Sequence, residues 1–586
     1  MSMELDALDR LAASAFDGYL VRKDLVRKYS RQYPVPTYVV EFLLGRYCAS
    51  VDENEINEGL QIVEKQLKDR TVRTGEEELF KARAKETGSV KLIDIVRARL
   101  DAKNDCYLAE LPSLALRDVR IEDQTVRDNE RMLTDGFYAE VTLSYDGVIA
   151  QQTGGRPFKV DALRPIQMSK SDVLDVLMKA RQTFSVAEWI DFLLRSIGLE
   201  ASALSDRAKK VVLLRMVPFV ERNYNMVELG PRGTGKSHLF QQISPYSHLI
   251  SGGKATVAKM FVNNSTGQRG LVCQYDVVCF DEVSGISFDQ KDGVNIMKGY
   301  MASGQFSRGK ENIRADGSLV MVGNLDVDVE QQQRVGHLLS PLPPEMRNDT
   351  AFMDRLHAYV PGWDFPKLNP TEHVTDHFGL VSDFLSECWD RLRAGNRVSV
   401  MQSRVHLGGA LSGRDIEAVN KTVSGLAKLL FPDPQMPVSD EDLEWMVRLA
   451  LESRRRVKEQ QRRVFKSEFR NTHFSYILGP EGVEQFVSTP EQHSDEAIET
   501  DPLPPGQVWG ANPGSGETGA GLYRIEVTCG RGSGVKILNQ PTPPAFRESV
   551  KVGEQNLYTR SKELVGDRNP REEEFSVQMR AMDSDK

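Results

Sequence analysis

Eight consecutive residues, Gly230-Pro231-Arg232-Gly233-Thr234-Gly235-Lys236-Ser237, match the pattern G-x-x-x-x-G-K-[ST] at every position. Glycines let backbone N–H groups wrap a phosphate, Lys236 brings an ammonium to the β- and γ-phosphates, and Ser237 offers a hydroxyl to Mg²⁺. The chemistry needs a strand before the loop and a helix after it, with His238 in the first turn, where the helix dipole favours an anion. Residues 225–229, Asn-Met-Val-Glu-Leu, read as that strand. The plainer alternative is a glycine-rich turn with a chance Lys-Ser.

A second element weighs against chance. About 45 residues on, Val277-Val278-Cys279-Phe280 is an apolar, buried-strand run that ends in Asp281-Glu282. An aspartate there holds Mg²⁺ through water, and the adjacent glutamate polarises the attacking water. Together the two elements predict hydrolysis of ATP with Mg²⁺. Residues 318–323 form another apolar strand with Asn324 at its tip, placed either to orient the water or simply to turn the chain before Leu325-Asp326. Arg355, in the helical pattern of 351–357, either reaches a neighbouring subunit's nucleotide or pairs locally with Asp354 or Asp349. Arg414 opens a helix in Ser412-Gly413-Arg414-Asp415-Ile416.

These residues must be held by a large scaffold. At roughly 150 residues per domain, 586 residues allow three to four domains. Hydrophobic residues at 40% and charged residues at 27% exclude global disorder. With 75 Lys+Arg against 84 Asp+Glu the net charge is −9, so no chain-wide basic field exists and any nucleic-acid surface is local. The six cysteines are scattered without C-x-x-C spacing, against a zinc site or disulfide framework. No secretory signal opens the chain and no apolar run approaches ~18 residues; the greasiest stretch, 211–220, is broken by Arg215 and Pro218. A soluble, cytoplasmic protein with no membrane contact is expected.

Along the chain, apolar spacing predicts helices over 55–67 and 90–100, then a small β element from 137 with a boundary near Asp161. Residues 169–198 return to helical spacing. Strands and helices then alternate to about 365, the signature of a mostly parallel sheet. Residues 380–431 and 439–465 read as helices. Residues 481–520 are acidic and then rich in Pro and Gly, predicting a linker. Strands at 523–528, 535–538 and 575–579 and a helix at 549–562 complete the pattern.

The order of phosphate loop, Asp-Glu strand, Asn-tipped strand, Asp-Arg helix and helical lid resembles the AAA+ ATPases, which work as rings, usually hexamers. The resemblance implies that Asn324 is sensor 1, Arg355 the trans-acting finger with Arg347 as substitute, and Arg414 sensor 2. Between Glu282 and Asn324, residues 306–317 read as a hairpin similar to the pore hairpin of ring helicases. Arg308, Lys310 and Arg314 would there touch DNA phosphates, unless the hairpin is merely solvated.

Wider similarity carries further. The phrase Phe-Met-Asp-Arg-Leu-His-Ala-Tyr-Val-Pro-Gly-Trp at 352–363, the Ser-Gly-Arg-Asp-Ile lid and Pro-Ala-Phe-Arg-Glu-Ser at 544–549 closely resemble the BrxL family, Lon-related ATPases of bacterial BREX phage-defence systems. The implied fold is α/β: an N-terminal domain, mainly helical with a small β element (1–160), a AAA+ P-loop core (161–370), a helical lid (371–475), a linker (476–520) and a partial Lon-protease-like α+β domain (521–586). The implied activity is a DNA-associated ATPase forming a hexameric ring, single or stacked, that acts on double-stranded DNA with other BREX proteins. Lon-type proteolysis needs a serine and a lysine base in hydrogen-bond reach, and no Pro-Ser-Ala-Gly-like context surrounds Ser549, Ser561, Ser576 or Ser584, so no peptidase activity is expected and the Lon-like domain reads as unfinished.

For DNA, Arg22, Lys23, Arg27, Lys28 and Arg31 interleave with Tyr29 and Tyr33 as a basic, aromatic helix, or as an ordinary solvated face over core tyrosines. A second cluster, Arg454, Arg455, Arg456, Lys458, Arg462, Arg463 and Lys466, reads rather as a charged helix facing solvent or a neighbouring subunit. Two rivals to the DNA motor remain open at this point: an ATP-driven unfoldase or Lon-like protease, for which 259–263 is an ambiguous pore loop, and an ATP-switched DNA-binding scaffold with little turnover.

Overall fold

The computed structural model describes residues 5–50, 52–133, 136–152, 154–166, 172–262, 269–288, 292–308, 311–329, 331–332, 337–465, 469, 472–489, 491, 502–512, 521–539, 542 and 544–581. Two compact units result, one of residues 1–329, 338–464 and 471–488, the other of 330–337, 465–470 and 489–586. Among the described residues no helix is long and apolar enough to cross a membrane.

The first unit opens with helices Ala7–Ala15, Lys23–Ser30, Thr37–Tyr47, Glu53–Arg70 and Glu77–Thr87. Residues 55–67 thus lie in a helix as their spacing predicts. Residues 90–100 do not: they form the strand Ser89–Asp101. The cause is burial on both faces. Leu92, Val96 and Ala98 enter one core while Ile93 packs among the N-terminal helices, so a strand shows the apolar spacing of a helix. Its β-branched Val90, Ile93, Ile95 and Val96 were the overlooked signal.

That strand belongs to more than a small β element. Ser89–Asp101, Cys106–Leu111, Leu116–Arg120, Phe137–Tyr145 and Phe158–Pro165 close into a five-stranded barrel. The first strand pairs with both the second and the fourth, the fifth lies between the third and the fourth, and only the third and fifth are parallel. This is the Greek-key arrangement of the oligonucleotide-binding barrel.

The core sheet runs Ala358–Pro361, Met226–Gly230, Ser318–Asn324, Val277–Phe288, Ser247–Ala255 in spatial order, every pair parallel. Its central strands are near-continuous apolar runs, as a sheet covered on both faces requires. Helices Val173–Arg181, Val186–Ser196 and Asp206–Val220 precede the sheet, and Ser185 forms a capping box with Glu188 at the start of the second. The N-terminal region is tied in: Leu20–Arg22 pairs antiparallel with Phe378–Leu380, and Thr37 donates through N and Oγ1 to Gln242 Oε1 on the phosphate-loop helix (3.1 and 2.9 Å).

The region expected as a lid comprises Ser382–Leu392, Gly413–Leu430 and Asp440–Val464 with a small sheet of Val405–Leu407, Ser475–Leu478 and Gln485–Phe486. The expected linker is therefore shorter. Residues 475–486 belong to the lid sheet, and 507–512 form a strand of the second unit; 490, 492–501 and 513–520 lie outside the described residues. In the second unit, strands Gln507–Asn512, Gly521–Arg531, Glu573–Ala581 and Gly534–Ile537 form a sheet in that order, joined by helices Pro544–Thr559 and Ser561–Leu564.

Candidate active site

The site begins with a buried strand. Met226–Gly230 is wholly inaccessible, and a Cβ at Gly230 would stand 2.5 Å from the Gly362 carbonyl carbon, so only glycine leaves the strand here. Gly233 and Gly235 adopt φ of +81° and +70°, a left-handed backbone that costs other residues roughly 1 kcal/mol or more. They turn the chain into the helix Lys236–Gln242. Four loop carbonyls are held: Gly230 O by Leu325 N (3.2 Å), Pro231 O by Lys236 Nζ (2.7 Å), Gly233 O by Leu368 N (2.8 Å) and Thr234 O by Arg215 Nη1 (3.3 Å). Arg232 is exposed and 3.8 Å from Asp326; His238 is exposed on the helix.

Parallel register gathers the other groups at the same end of the sheet. Asn324 is the register partner of Gly230, and the neighbouring strand reaches Asp281 one residue past the Phe280–Met321 pair. Ser237 Oγ donates to Asp281 Oδ1 (2.8 Å), and Lys236 Nζ to Asn324 Oδ1 (3.4 Å). Burial pulls the Lys236 ammonium below its ordinary pKa, with the Glu228 carboxylate opposing. Glu282 is exposed at φ +49° where pairing with the outer strand breaks, between Ser251–Asp281 and Gly253–Ile286. A strained non-glycine backbone beside such a cluster is a mark of function. Lys236, Ser237, Asp281 and Asn324 are thus brought to one end of the sheet, with exposed Glu282 next to Asp281 in the chain.

Arg355 and Arg414 also meet, but at the other end of the sheet. His357 N donates to Asn225 O, and Ala358 pairs with Met226, at the start of the strand that finishes at Gly230. Five residues at ~3.3 Å each separate Asn225 from Gly230 by about 17 Å. Asp354 accepts from Arg414 and from Arg454 Nη2 (2.9 Å), while Arg454 Nε and Lys458 Nζ reach Asp415 (2.7 and 3.2 Å). Burial pushes the Asp354 carboxyl up, but Arg454 and Arg414 outweigh it and hold it below the usual range. Arg355 Nη1 donates to Ala351 O, and its Nε is buried without a hydrogen-bond partner among the described residues. Burial, then the neighbouring Arg414 charge, draws its pKa down. Both arginines line a cavity of about 30 Å³. Arg347 is exposed at the end of the short helix Pro344–Arg347.

The basic residues proposed for DNA divide sharply. Lys23 is buried, with Nζ on Glu41 (2.9 Å) and on Leu380 O (3.0 Å), and buried Arg22 pairs with Asp24 (2.7 Å) and Glu53 (2.9 Å). Arg27 pairs with Asp376, leaving Lys28, which lies over the Tyr29 ring at 4.9 Å, and Arg31 exposed. Lys23 and Arg22 are therefore corrected from phosphate contacts to fasteners of the N-terminal helices. The second cluster, expected on a helix facing solvent or a neighbouring subunit, is corrected too: Arg454 and Arg456 are buried, Arg456 reaching Tyr359 O (3.2 Å) and Glu452 (2.7 Å), and Lys466 lies outside the described residues. The predicted hairpin exists, Gln305–Arg308 against Glu311–Arg314, with Arg314 exposed; Lys310 and the side chain of Arg308 lie outside the described residues. Phe261, of the ambiguous pore loop, is buried and packs on Tyr300 and Phe306, whereas Asn263 lies outside the described residues.

A further acid group, Asp6, Asp9 and His377, brings its ligand atoms within 4.8 Å of one another. Arg195 already answers its charge, at 2.6 Å from Asp6 and 3.7 Å from Asp9. Sequence reasoning assigns no site role to Arg215, Asp354 or Asp415, which the structure places against Glu228, against Arg414 and Arg454, and against Arg454 and Lys458.

Comparison with known proteins bears on the whole architecture. A family model described as the ATPase domain of Lon-like protease BrxL-like proteins matches residues 158–475, and one described as the N-terminal domain of the BREX system Lon protease-like protein BrxL matches 14–145. The Lon-like protease BrxL of Escherichia coli O9:H4 (strain HS) is 44% identical over 548 residues, 93% of this chain and 78% of that protein. The chain belongs to the BrxL family. The Lon-like protease BrxL of Bacillus cereus (strain H3081.97) is likewise 44% identical, over 89% of this chain and 76% of its own length. Every phosphate-end residue described above, and both arginines, fall inside the BrxL ATPase domain.

Proposed function

We propose that this BrxL-family chain is an ATPase of AAA+ type that works as a ring of copies on double-stranded DNA in BREX phage defence. One observation carries the reading: Arg355 and Arg414 lie beside the start of the strand Met226–Gly230, whereas the phosphate loop leaves its other end, about 17 Å along the strand from Asn225. A full catalytic set then needs two copies. In one, the phosphate loop binds the triphosphate, Asn324 orients water and Glu282 takes its proton as the γ-phosphate transfers. In the other, Arg355 and Arg414 meet the charge that develops on that phosphate.

The hydroxyl of Ser237 and the carboxylate of Asp281 form a hard oxygen donor pair beside the loop that fits Mg²⁺ and would hold it, and the ion would supply positive charge against that of the phosphates. For DNA, the oligonucleotide-binding topology of the N-terminal barrel and exposed Arg314 on the hairpin support the reading. Burial of Phe261 in the core weakens the unfoldase alternative, which needs an aromatic residue free to grip a polypeptide. In the second unit Lys536 is the strand partner of Ser576, but its Nζ is bound to Glu574 (2.7 Å), which argues against a Ser-Lys peptidase there.

The test is complementation. Arg355→Ala and Lys236→Ala should each abolish turnover, and their mixture should regain part of it, because each chain supplies what the other lacks. Failure of the mixture removes the two-copy site. Stimulation of ATPase by double-stranded DNA, with binding that weakens steeply as salt rises, tests the DNA arm, and a flat response to both overturns it.

A further inference from the structure

Arg215 stands out among groups that the proposed mechanism does not use. It lies in the helix Asp206–Val220, inside the greasiest stretch of the chain, and is 2% exposed. Its guanidinium meets Glu228, 0% exposed, through Nε (2.8 Å) and Nη2 (2.6 Å). The remaining nitrogen, Nη1, donates to Thr234 O in the phosphate loop (3.3 Å), and the ring of Phe365 lies 4.8 Å from Cζ. A buried ion pair of this kind is weak evidence for stability, since apolar residues of similar volume hold a core as well. Its location needs another reason.

Thr234 sits between the two left-handed glycines, so the orientation of its peptide decides which way the loop's polar groups face. Two carbonyls here are held by the protein behind the loop, Gly233 O by Leu368 N and Thr234 O by Arg215 Nη1. With those carbonyls held toward the protein, the alternating N–H groups of the loop are left facing the phosphate position as an anion nest. Lys236 holds Pro231 O, a bond it can exchange for a phosphate while the carbonyls behind stay fixed.

We propose that Arg215 is a positioning residue for nucleotide: it pre-organises the phosphate loop by holding the Thr234 carbonyl, and Glu228 fixes the fork of Arg215 while cancelling its charge. This rests on the reading that the loop binds nucleotide. Lysine cannot replace arginine, because one ammonium does not span a carboxylate and a carbonyl in the same fixed geometry.

The experiment compares the full chain with R215M/E228L, which removes both charges at similar volume, and with Arg215→Lys, by fluorescence titration with a labelled ADP in Mg²⁺ and by thermal unfolding without nucleotide. The expected result is a double variant that unfolds near the wild-type temperature yet binds Mg-ADP about tenfold more weakly, with Arg215→Lys also weakened. A purely structural pair would move the unfolding temperature and leave the affinity of the folded fraction alone. Unchanged affinity in the folded double variant overturns the proposal, and if that variant does not fold, unchanged affinity in Arg215→Lys overturns it. If the wild-type chain itself binds no labelled ADP, it is the nucleotide reading that fails.

Discussion

The two ends of the parallel sheet are built on opposite plans. At the ends of the strands, Lys236 contacts Asn324 and Ser237 contacts Asp281, and the groups that hold the loop come from the same chain. At the starts of the strands, Asp354 is shared between Arg414 and Arg454, while Arg355 carries a buried nitrogen with no partner among the described residues. One end is complete within the chain and the other holds cationic capacity in excess. On the proposed reading, a parallel sheet separates nucleotide binding from the charges that complete hydrolysis, which would make turnover depend on assembly.

The largest effect expected is on the phosphate end. Glu282→Gln keeps the size of the side chain and removes the base, so turnover should fall ~10²- to 10⁴-fold with nucleotide affinity within about twofold of wild type. Steady-state ATPase alongside a binding titration checks it; retained turnover would remove Glu282 as the group that activates water. The second effect belongs to the arginine end. Asp415→Asn leaves buried Arg454 short of charge and removes a capping box carboxylate from the lid helix, so unfolding stability should drop by about 3 kcal/mol. Denaturant titration measures this. A simultaneous collapse of Mg-ADP affinity in the folded protein would show that the two ends are not separable.

Much of the phosphate end was legible in the sequence, because its chemistry demands fixed residue types at fixed spacing and strand ends that parallel register then brings together. Asn324, 88 residues from Lys236, reaches it for that reason alone. Charge was less legible. Lys23 and Arg454 look like solvated cations in one dimension, and only tertiary burial beside Glu41 and Asp415 turns them into fasteners. The barrel was misread where Ile93 and Leu92 face different cores on one strand, which erases the two-residue alternation on which a strand is recognised. Arg215 broke an apolar run, and nothing in the sequence alone says which carbonyl it holds.

The smallest effect sharpens the comparison through pH. Asp276 immediately precedes the strand Val277–Phe288, at the arginine end of the sheet, and burial pushes its carboxyl up to about 7. Arg393, 3.4 Å away, and Arg131 oppose that rise, while the neighbouring Asp390 adds to it; Asp390 is itself raised, by burial and then by Glu387. A carboxyl raised on folding binds a proton in the native state that the unfolded chain has already released. Its contribution to stability is therefore present near pH 4 and is lost as pH climbs toward 7. Asp94 and Asp383, each raised to about 6, tilt stability the same way, so the informative quantity is the difference between wild type and Asp276→Asn. The variant should show a shallower loss of stability between pH 4.5 and 7, on the order of 1 kcal/mol less than wild type. Mg-ADP affinity of the two proteins should track together over that range, since Asp276 lies at the far end of the strands from Lys236. Parallel stability curves for variant and wild type would show that Asp276 does not retain a proton on folding, and diverging affinities would show that the two ends of the sheet communicate through this strand.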